Sequence, residues 1–143
     1  LPAGGALDVD AVARLLSVSA PRWADWLMWL RDRIVSVVGL RTSEKAPAVN
    51  STAPLRPGDS LRIFQLLDRS ASEVLFGADD KHLDFRASLL VRGDAGRASA
   101  VLSTVVRYNN RLGRVYFFFV RPFHGLIIGS MLRNLRRKLE HAE

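Results

Sequence analysis

Hydrophobic residues in the first third of the chain recur at the three- to four-residue spacing of amphipathic helices. Asp8 is a favourable N-cap for a first helix with apolar positions at Val9, Val12, Ala13 and Leu16. Ser19-Ala20-Pro21 then predicts the start of a second helix, which Gly39 ends. The spacing predicts one apolar face on that helix, formed by Trp23, Trp26, Leu27, Leu30, Ile34 and Val37.

The middle of the chain alternates between apolar and polar residues, as half-buried strands do. The alternation predicts an antiparallel meander of four strands, at Leu61–Leu67, Glu73–Phe76, His82–Val91 and Ala98–Tyr108. Residues 41–60 form a loop before it, long enough to be a lid or partly disordered. The last strand has small or apolar residues on both faces, so we expect it to be covered on both sides or to line a cavity.

The segment after Tyr108 combines strand-forming residues with helical spacing. Val115–Val120 has the composition of a fifth strand, but apolar residues recur at helical spacing straight through Pro122. We therefore predict one C-terminal helix from Arg111 to Glu140, kinked at Pro122. Its apolar stripe, expected to face the last strand, consists of Leu112, Val115, Tyr116, Phe119, Phe123, Leu126, Ile127, Ser130 and Met131.

Composition restricts the class of protein. A chain of 143 residues, 48% of them apolar, predicts one well-cored domain. Because there is no cysteine, disulfides, thiolate catalysis and thiolate metal sites are excluded, which suits a reducing compartment, and we expect a cytoplasmic protein. The residues from Leu1 to Gly5 do not have the pattern of a signal peptide. We expect no transmembrane segment, since Arg121, Pro122 and His124 interrupt the apolar run.

The net charge of +7 is concentrated in the C-terminal third. Residues 95–139 contain nine basic side chains and no acidic one, whereas residues 1–94 contain twelve of each. A segment that is both apolar and cationic usually packs one face on a core and presents the other to water or to an anion.

Several segments resemble a known family. The order of helices, meander and long C-terminal helix is similar to the helix-grip architecture (START, Bet v 1-like or SRPBCC). The segments most similar to the bacterial family called domain of unknown function 2867 are Pro21–Trp23, Leu30–Val35, Gly39-Leu40, Gly77–Arg86, Thr104–Tyr116 and Val120–His124. The resemblance implies an α+β fold in which an antiparallel sheet grips the long C-terminal helix around a hydrophobic pocket, with two shorter N-terminal helices. It implies no established activity. Members begin with a further strand, which only Leu1–Leu7 could supply here.

One group of polar residues is a candidate for catalysis. His82, Asp84 and Arg86 alternate along one strand, so their side chains share a face and could act as acid, base and polarising group. Solvated ion pairs on the outer face of a sheet would give the same pattern. Asp79 and Asp80 beside His82 are typical of a turn rather than of a metal site, and we predict neither metal nor cofactor.

A second group is a candidate for ligand binding. Arg107, Tyr108 and Asn109 end the last strand, and Arg111 and Arg114 begin the helix. Together they could hold an anion or a polar head group at the mouth of a pocket. A charged collar on this junction is the alternative. The aromatic residues Tyr116, Phe119 and Phe123 would line the pocket, and His124 is expected to be a packing histidine.

Three functions follow as hypotheses. The first is binding of a hydrophobic or lipid-like small molecule between the sheet and the C-terminal helix. The second is a cyclase- or dehydratase-like enzyme, which requires His82, Asp84 and Arg86 to point inward. The third is a basic module for an anionic membrane surface or for nucleic acid, the latter without a recognisable motif. An exposed Trp29 or phenylalanine patch would indicate a homodimer.

Overall fold

The computed structural model describes residues 8–38, 54–61, 64–94 and 97–140. Within them the chain forms three helices and five strands: α1 (Val9–Ser17), α2 (Arg22–Val38), β1 (Ser60–Leu61), β2 (Phe64–Arg69), β3 (Glu73–Asp79), β4 (Leu83–Asp94), β5 (Arg97–Tyr108) and α3 (Arg111–Glu140). The predicted α+β class is confirmed, and the arrangement is consistent with a helix grip. Leu1–Leu7, Gly39 and most of the predicted 41–60 loop lie outside the described residues.

The strands form one antiparallel sheet in the order β1-β2-β3-β4-β5. The predicted strand Leu61–Leu67 is wrong in one respect, because it is two strands that pair with each other through Leu61 and Phe64. The other three predicted strands are confirmed, each with slightly different ends. β4 and β5 pair along their whole length, which makes this hairpin the longest part of the sheet.

The core lies between one face of the sheet and the helices. α1 packs on β3 and β4, and its apolar positions Val9, Val12, Ala13 and Leu16 are buried as predicted. Asp8 is the predicted N-cap, and its carboxylate accepts a hydrogen bond from the Asp10 amide at 3.1 Å. The sheet contributes Leu66, Val74, Phe76, Ala87, Leu89 and Val91 to the same cluster, and α3 contributes Leu135.

An ion pair between a buried aspartate and an exposed arginine ties α1 to the sheet. Asp10 is 2% exposed, and its two carboxylate oxygens accept hydrogen bonds from Nε and Nη2 of Arg69 at 2.9 and 2.7 Å. The same carboxylate accepts a hydrogen bond from the Leu55 amide at 3.2 Å. These bonds to the charged form, that of Arg69 above all, hold the pKa of Asp10 below its ordinary 3.8.

The predicted core-facing side of α2 is wrong in part. Ala24 is buried at 4% exposure and Leu27 is half-buried, whereas Trp23, Trp26 and Val37 are 41%, 59% and 88% exposed. The physical reason is that α2 is apolar on more than one side, so its spacing identifies a helix without selecting the side that packs. Trp29 is likewise 60% exposed.

Candidate functional site

The start of α3 is fixed by contacts with the turn before β4. The Asn110 side chain accepts a hydrogen bond from the Gly113 amide at 2.9 Å, while its Nδ2 lies 2.8 Å from Nδ1 of His82. The Asn109 amide donates to the His82 carbonyl oxygen at 3.0 Å. A Cβ at Gly113 would overlap that same carbonyl group, so only glycine fits there. Together these contacts set the rotation of α3 about its axis.

That rotation turns a different side of α3 towards the sheet from the one predicted. Leu135 is buried, and half-buried residues on the same side follow helical spacing: Phe117, Val120, His124, Ile127, Ile128 and Met131. The predicted stripe is therefore wrong for most of its members. Five of them point to solvent, namely Leu112, Val115, Phe119, Phe123 and Leu126. The helix bounds, in contrast, are confirmed, with Pro122 inside the helix.

An aromatic chain crosses the end of the sheet where α3 begins. The Phe64 and Phe85 rings stack with centroids 5.1 Å apart, and Phe85 meets the edge of His124 at 6.0 Å. His124 lies 6.4 Å from Phe117, which in turn lies 5.8 Å from Tyr108. The chain thus joins β2, β4, α3 and β5. We refer to these five residues as the aromatic chain.

His124 is the titratable member of the aromatic chain. Burial among these rings disfavours the imidazolium and holds the pKa of His124 below its ordinary 6.5. The ring is therefore neutral at pH 7 and acts as a weakly polar wall, with one nitrogen that donates and one that accepts.

The core-facing side of β5 is incompletely covered. Leu102 and Thr104 lie opposite the buried Leu89 and Ala87 of β4, so all four side chains point towards the helices. Yet Thr104 is exposed and Leu102 only half-buried, and Tyr108 on the same side is 39% exposed. The sheet-facing residues of α3 between Phe117 and Met131 are likewise only half-buried. We call this partly uncovered surface, formed by the inward side of β5 and the facing side of α3, the groove.

The predicted ligand-binding residues are only partly brought together at the groove. Tyr108 lines it, whereas Tyr116 is directed to α2, where its hydroxyl accepts a hydrogen bond from Nε of Arg31 at 2.8 Å. Arg111 is exposed at the start of α3. Arg107 points to the opposite face of the sheet, since strand residues alternate. Phe119 and Phe123 point away from the sheet, at 66% and 47% exposure.

Of the basic residues predicted at the junction of β5 and α3, Arg114 lies at the mouth, with its guanidinium 6.0 Å from the centre of the Tyr108 ring, whereas Arg107 does not. Three aromatic residues were not selected from the sequence as part of a ligand site. Phe85, Phe117 and His124 also line this end. The available signal was the seven-residue interval between Phe117 and His124, which places both on one side of a helix.

The three candidate catalytic residues do not converge. His82 is buried beside the start of α3, whereas Asp84 and Arg86 lie on the face of β4 away from the helices. Arg86 forms an ion pair with Asp79, and Asp84 accepts a hydrogen bond from Nδ2 of Asn109 at 3.0 Å. The inward orientation that an acid–base site requires is not met by Asp84 and Arg86. Nε2 of His82 is buried without a hydrogen-bond partner among the described residues.

Comparison with known proteins adds the family. A model described as "Protein of unknown function (DUF2867)" matches residues 1–131. The chain belongs to the DUF2867 family. No curated protein and no solved structure matches it.

In this DUF2867 member, three of the segments that carry the resemblance meet at one end of the fold. Gly77–Arg86 includes the turn between β3 and β4, and Thr104–Tyr116 spans the junction of β5 with α3. Val120–His124 places His124 against Phe85. These segments build the contacts of His82 with the start of α3 and most of the aromatic chain. In the described ranges, no group of three or more histidine and carboxylate side chains could hold a metal ion.

Proposed function

We propose that this protein binds a hydrophobic or lipid-like small molecule in the groove between β5 and α3. The observation that carries the proposal is the incomplete cover of β5. Thr104 is exposed although its cross-strand neighbour Ala87 is 8% exposed and points the same way. A strand whose inward side stays accessible next to a packed core leaves room for a guest rather than for another side chain.

The groove walls favour an aliphatic chain. Leu102 and Val106 on β5 and Ile127, Ile128 and Met131 on α3 are half-buried, so a guest would remove their remaining apolar surface from water. Methionine and branched aliphatic side chains adapt to an acyl chain without demanding a fixed shape. The neutral His124 adds no charge to this wall.

The mouth of the groove favours a polar or anionic head. Tyr108 offers a hydroxyl, and the guanidinium of Arg114 lies over its ring. Arg111 is exposed one turn earlier on α3. A carboxylate at this position would gain charge-assisted hydrogen bonds, while its chain lies along Leu102 and Ile128. The substrate class that fits is therefore an anionic amphiphile such as a fatty acid.

The groove can be tested by filling it. Thr104→Phe places a ring on the inward side of β5, and Ser103→Phe places the same ring one residue away on the outward side. Both positions are exposed, so both variants should fold. Binding of a fluorescent fatty acid should be lost in Thr104→Phe and retained in Ser103→Phe. Equal binding by the two variants, or none by the unaltered protein, would contradict the proposal.

The head-group assignment has its own control. Arg114→Gln should weaken binding of a fatty acid by about tenfold, the value of one charge-assisted hydrogen bond. Binding of the matching fatty alcohol, which has no carboxylate, should change little. An equal loss for both ligands would show that Arg114 does not recognise the head group.

A further inference from the structure

The side of α3 that faces away from the sheet is apolar along its first half. Leu112, Val115, Phe119 and Leu126 follow one another at helical spacing and are 36%, 56%, 66% and 60% exposed. Phe118 and Phe123 flank them at 74% and 47% exposure. We call these six residues the outer patch. They leave several hundred Å² of apolar surface in water, as much as the largest patch of an ordinary monomer.

Cations flank the outer patch at both ends. Arg111 and Arg114 precede or accompany its first residues, and Arg133 and Arg137 continue the same side of the helix beyond its last one. All four side chains are exposed. The sequence from 95 to 139 contains no acidic residue, so α3 offers these cations no carboxylate before Glu140.

α2, which carries two exposed tryptophans, runs beside this helix. Asn134 donates a hydrogen bond to the Ser19 carbonyl at 3.0 Å, and Lys138 donates to the Val18 carbonyl at 3.1 Å. Because Arg31 further along α2 reaches Tyr116 near the start of α3, the two helices run antiparallel to each other. Trp26 and Trp29 on α2 are 59% and 60% exposed. Tryptophan is the side chain most typical of the membrane–water interface.

We infer that the outer patch docks α3 on the surface of an anionic lipid bilayer. The phenylalanines would enter the boundary between head groups and acyl chains, and the arginines at both ends would contact lipid phosphates. The charge pattern selects this occupant, because a bilayer supplies apolar and anionic partners together. A second copy of the chain would supply an apolar patch but would bring more arginine towards the first set.

A surface position fits the structure better than a membrane span. By length and composition alone, α3 from Arg111 to Leu139 could cross a membrane, with a mean hydropathy of 1.4 over its most apolar window. However, Leu135 on its opposite side is 2% exposed in the core that the sheet forms with α1. If α3 crossed the membrane, this side would be removed from the core. If α3 lies on the bilayer surface, only the side that already faces water contacts the lipid.

Apart from Arg111 and Arg114, this inference uses residues that the groove does not, because it concerns the other side of α3. The direct test is co-sedimentation with vesicles of phosphatidylcholine alone and of phosphatidylcholine mixed with phosphatidylglycerol. The unaltered protein should bind the anionic vesicles, bind the neutral ones weakly, and be released as salt is raised. Protein that stays in the supernatant with both vesicles would overturn the inference.

Variants identify the surface. Changing Phe118 and Phe119 together to serine should weaken vesicle binding by about tenfold or more, because the substitutions remove the two apolar rings that would insert into the bilayer. Val105→Ser, at 66% exposure on the outward face of β5, removes exposed apolar surface elsewhere and should bind as the unaltered protein does. Equal losses in both would overturn the assignment to α3. Changing Arg133 and Arg137 to glutamine should lower the salt dependence.

Two outcomes separate the alternatives. If the unaltered protein is a dimer that ignores vesicles, and the Phe118 and Phe119 double variant is monomeric in sedimentation equilibrium, the outer patch is a dimer interface and the inference fails. The Thr104→Phe variant should bind anionic vesicles normally even though its groove is filled. A protein that binds no fatty acid could therefore still bind vesicles, and a protein that binds no vesicles could still bind a fatty acid in the groove.

Discussion

Gly113 of α3 lies against the backbone carbonyl of His82, in the turn that precedes β4. A Cβ added at Gly113 would come far inside 3.0 Å of that oxygen, a separation that real Cβ atoms do not show. The contact joins residues 31 positions apart in the chain and brings the backbone of the helix directly onto the turn. It therefore determines which side of α3 faces the sheet and which side forms the outer patch.

Gly113→Ala should destabilise the protein by about 2–3 kcal/mol, because the obstructing atom is backbone and cannot rotate away. Gly125→Ala is the matched control in the same helix, where an added Cβ meets nothing within 4 Å. That control should stabilise the protein by about 0.5–1 kcal/mol through helix propensity. Urea unfolding measures both free energies. Equal effects of the two substitutions would show that Gly113 does not contact the turn closely.

The observed rotation of α3 predicts that replacing two leucines of this helix with alanine will change the free energy of unfolding by different amounts. Leu135→Ala should lower the free energy of unfolding by about 2–4 kcal/mol, since Leu135 is 2% exposed in the core. Leu126→Ala, at 60% exposure, should change it by less than about 0.5 kcal/mol. Thermal and urea unfolding report the difference. A larger cost at Leu126 would mean that the predicted stripe, and not the observed side, packs on the sheet.

His124 should titrate below its ordinary pKa of 6.5, because burial in the aromatic chain disfavours the charged ring. The unfolded chain binds this proton more readily than the folded one, so stability should fall as pH falls below about 6.5. Proton NMR of the folded and urea-unfolded protein compares the two midpoints. His124→Gln should remove this part of the pH dependence. A folded midpoint at or above the unfolded one would contradict the burial of the ring.

The Asp10–Arg69 pair predicts a separate loss at acid pH. The pKa of Asp10 in the folded protein lies below the ordinary 3.8, so the ion pair stabilises the protein above that pH. The stabilisation disappears as the pH falls through the folded-state pKa of Asp10. Asp10→Asn should cost on the order of 2 kcal/mol at neutral pH and flatten the acid dependence. Asp68→Asn, a neighbouring exposed carboxylate, is the control and should do neither. Similar acid unfolding in both variants would remove the role assigned to Asp10.

Local signals predicted most of the fold. The Asp8 cap, the alternation along β4 and the helical spacing from Arg111 to Glu140 each act within a few residues, so the sequence alone predicts them correctly. The antiparallel pairing of Leu61 with Phe64 was not predicted, because the sequence between them, Arg62-Ile63, contains none of the glycine, asparagine or aspartate residues that mark a tight hairpin.

The site was less predictable than the fold for a different reason. α2 and α3 are apolar on more than one side, and spacing alone does not select the side that packs. The selection comes from contacts between distant residues, such as Gly113 with His82 and Arg31 with Tyr116. Tyr108 was assigned to the groove from the end of a strand, but Phe119 and Phe123 were placed on the wrong side of α3.

The proposed binding groove is tested most directly by NMR with a saturated fatty acid and methyl-labelled protein. We predict intermolecular NOEs from the acyl chain to Leu102 and Val106 of β5 and to Ile128 of α3. NOEs confined to Leu126 and Val115 on the outer patch, or no NOEs at ligand saturation, would contradict a ligand site between β5 and α3.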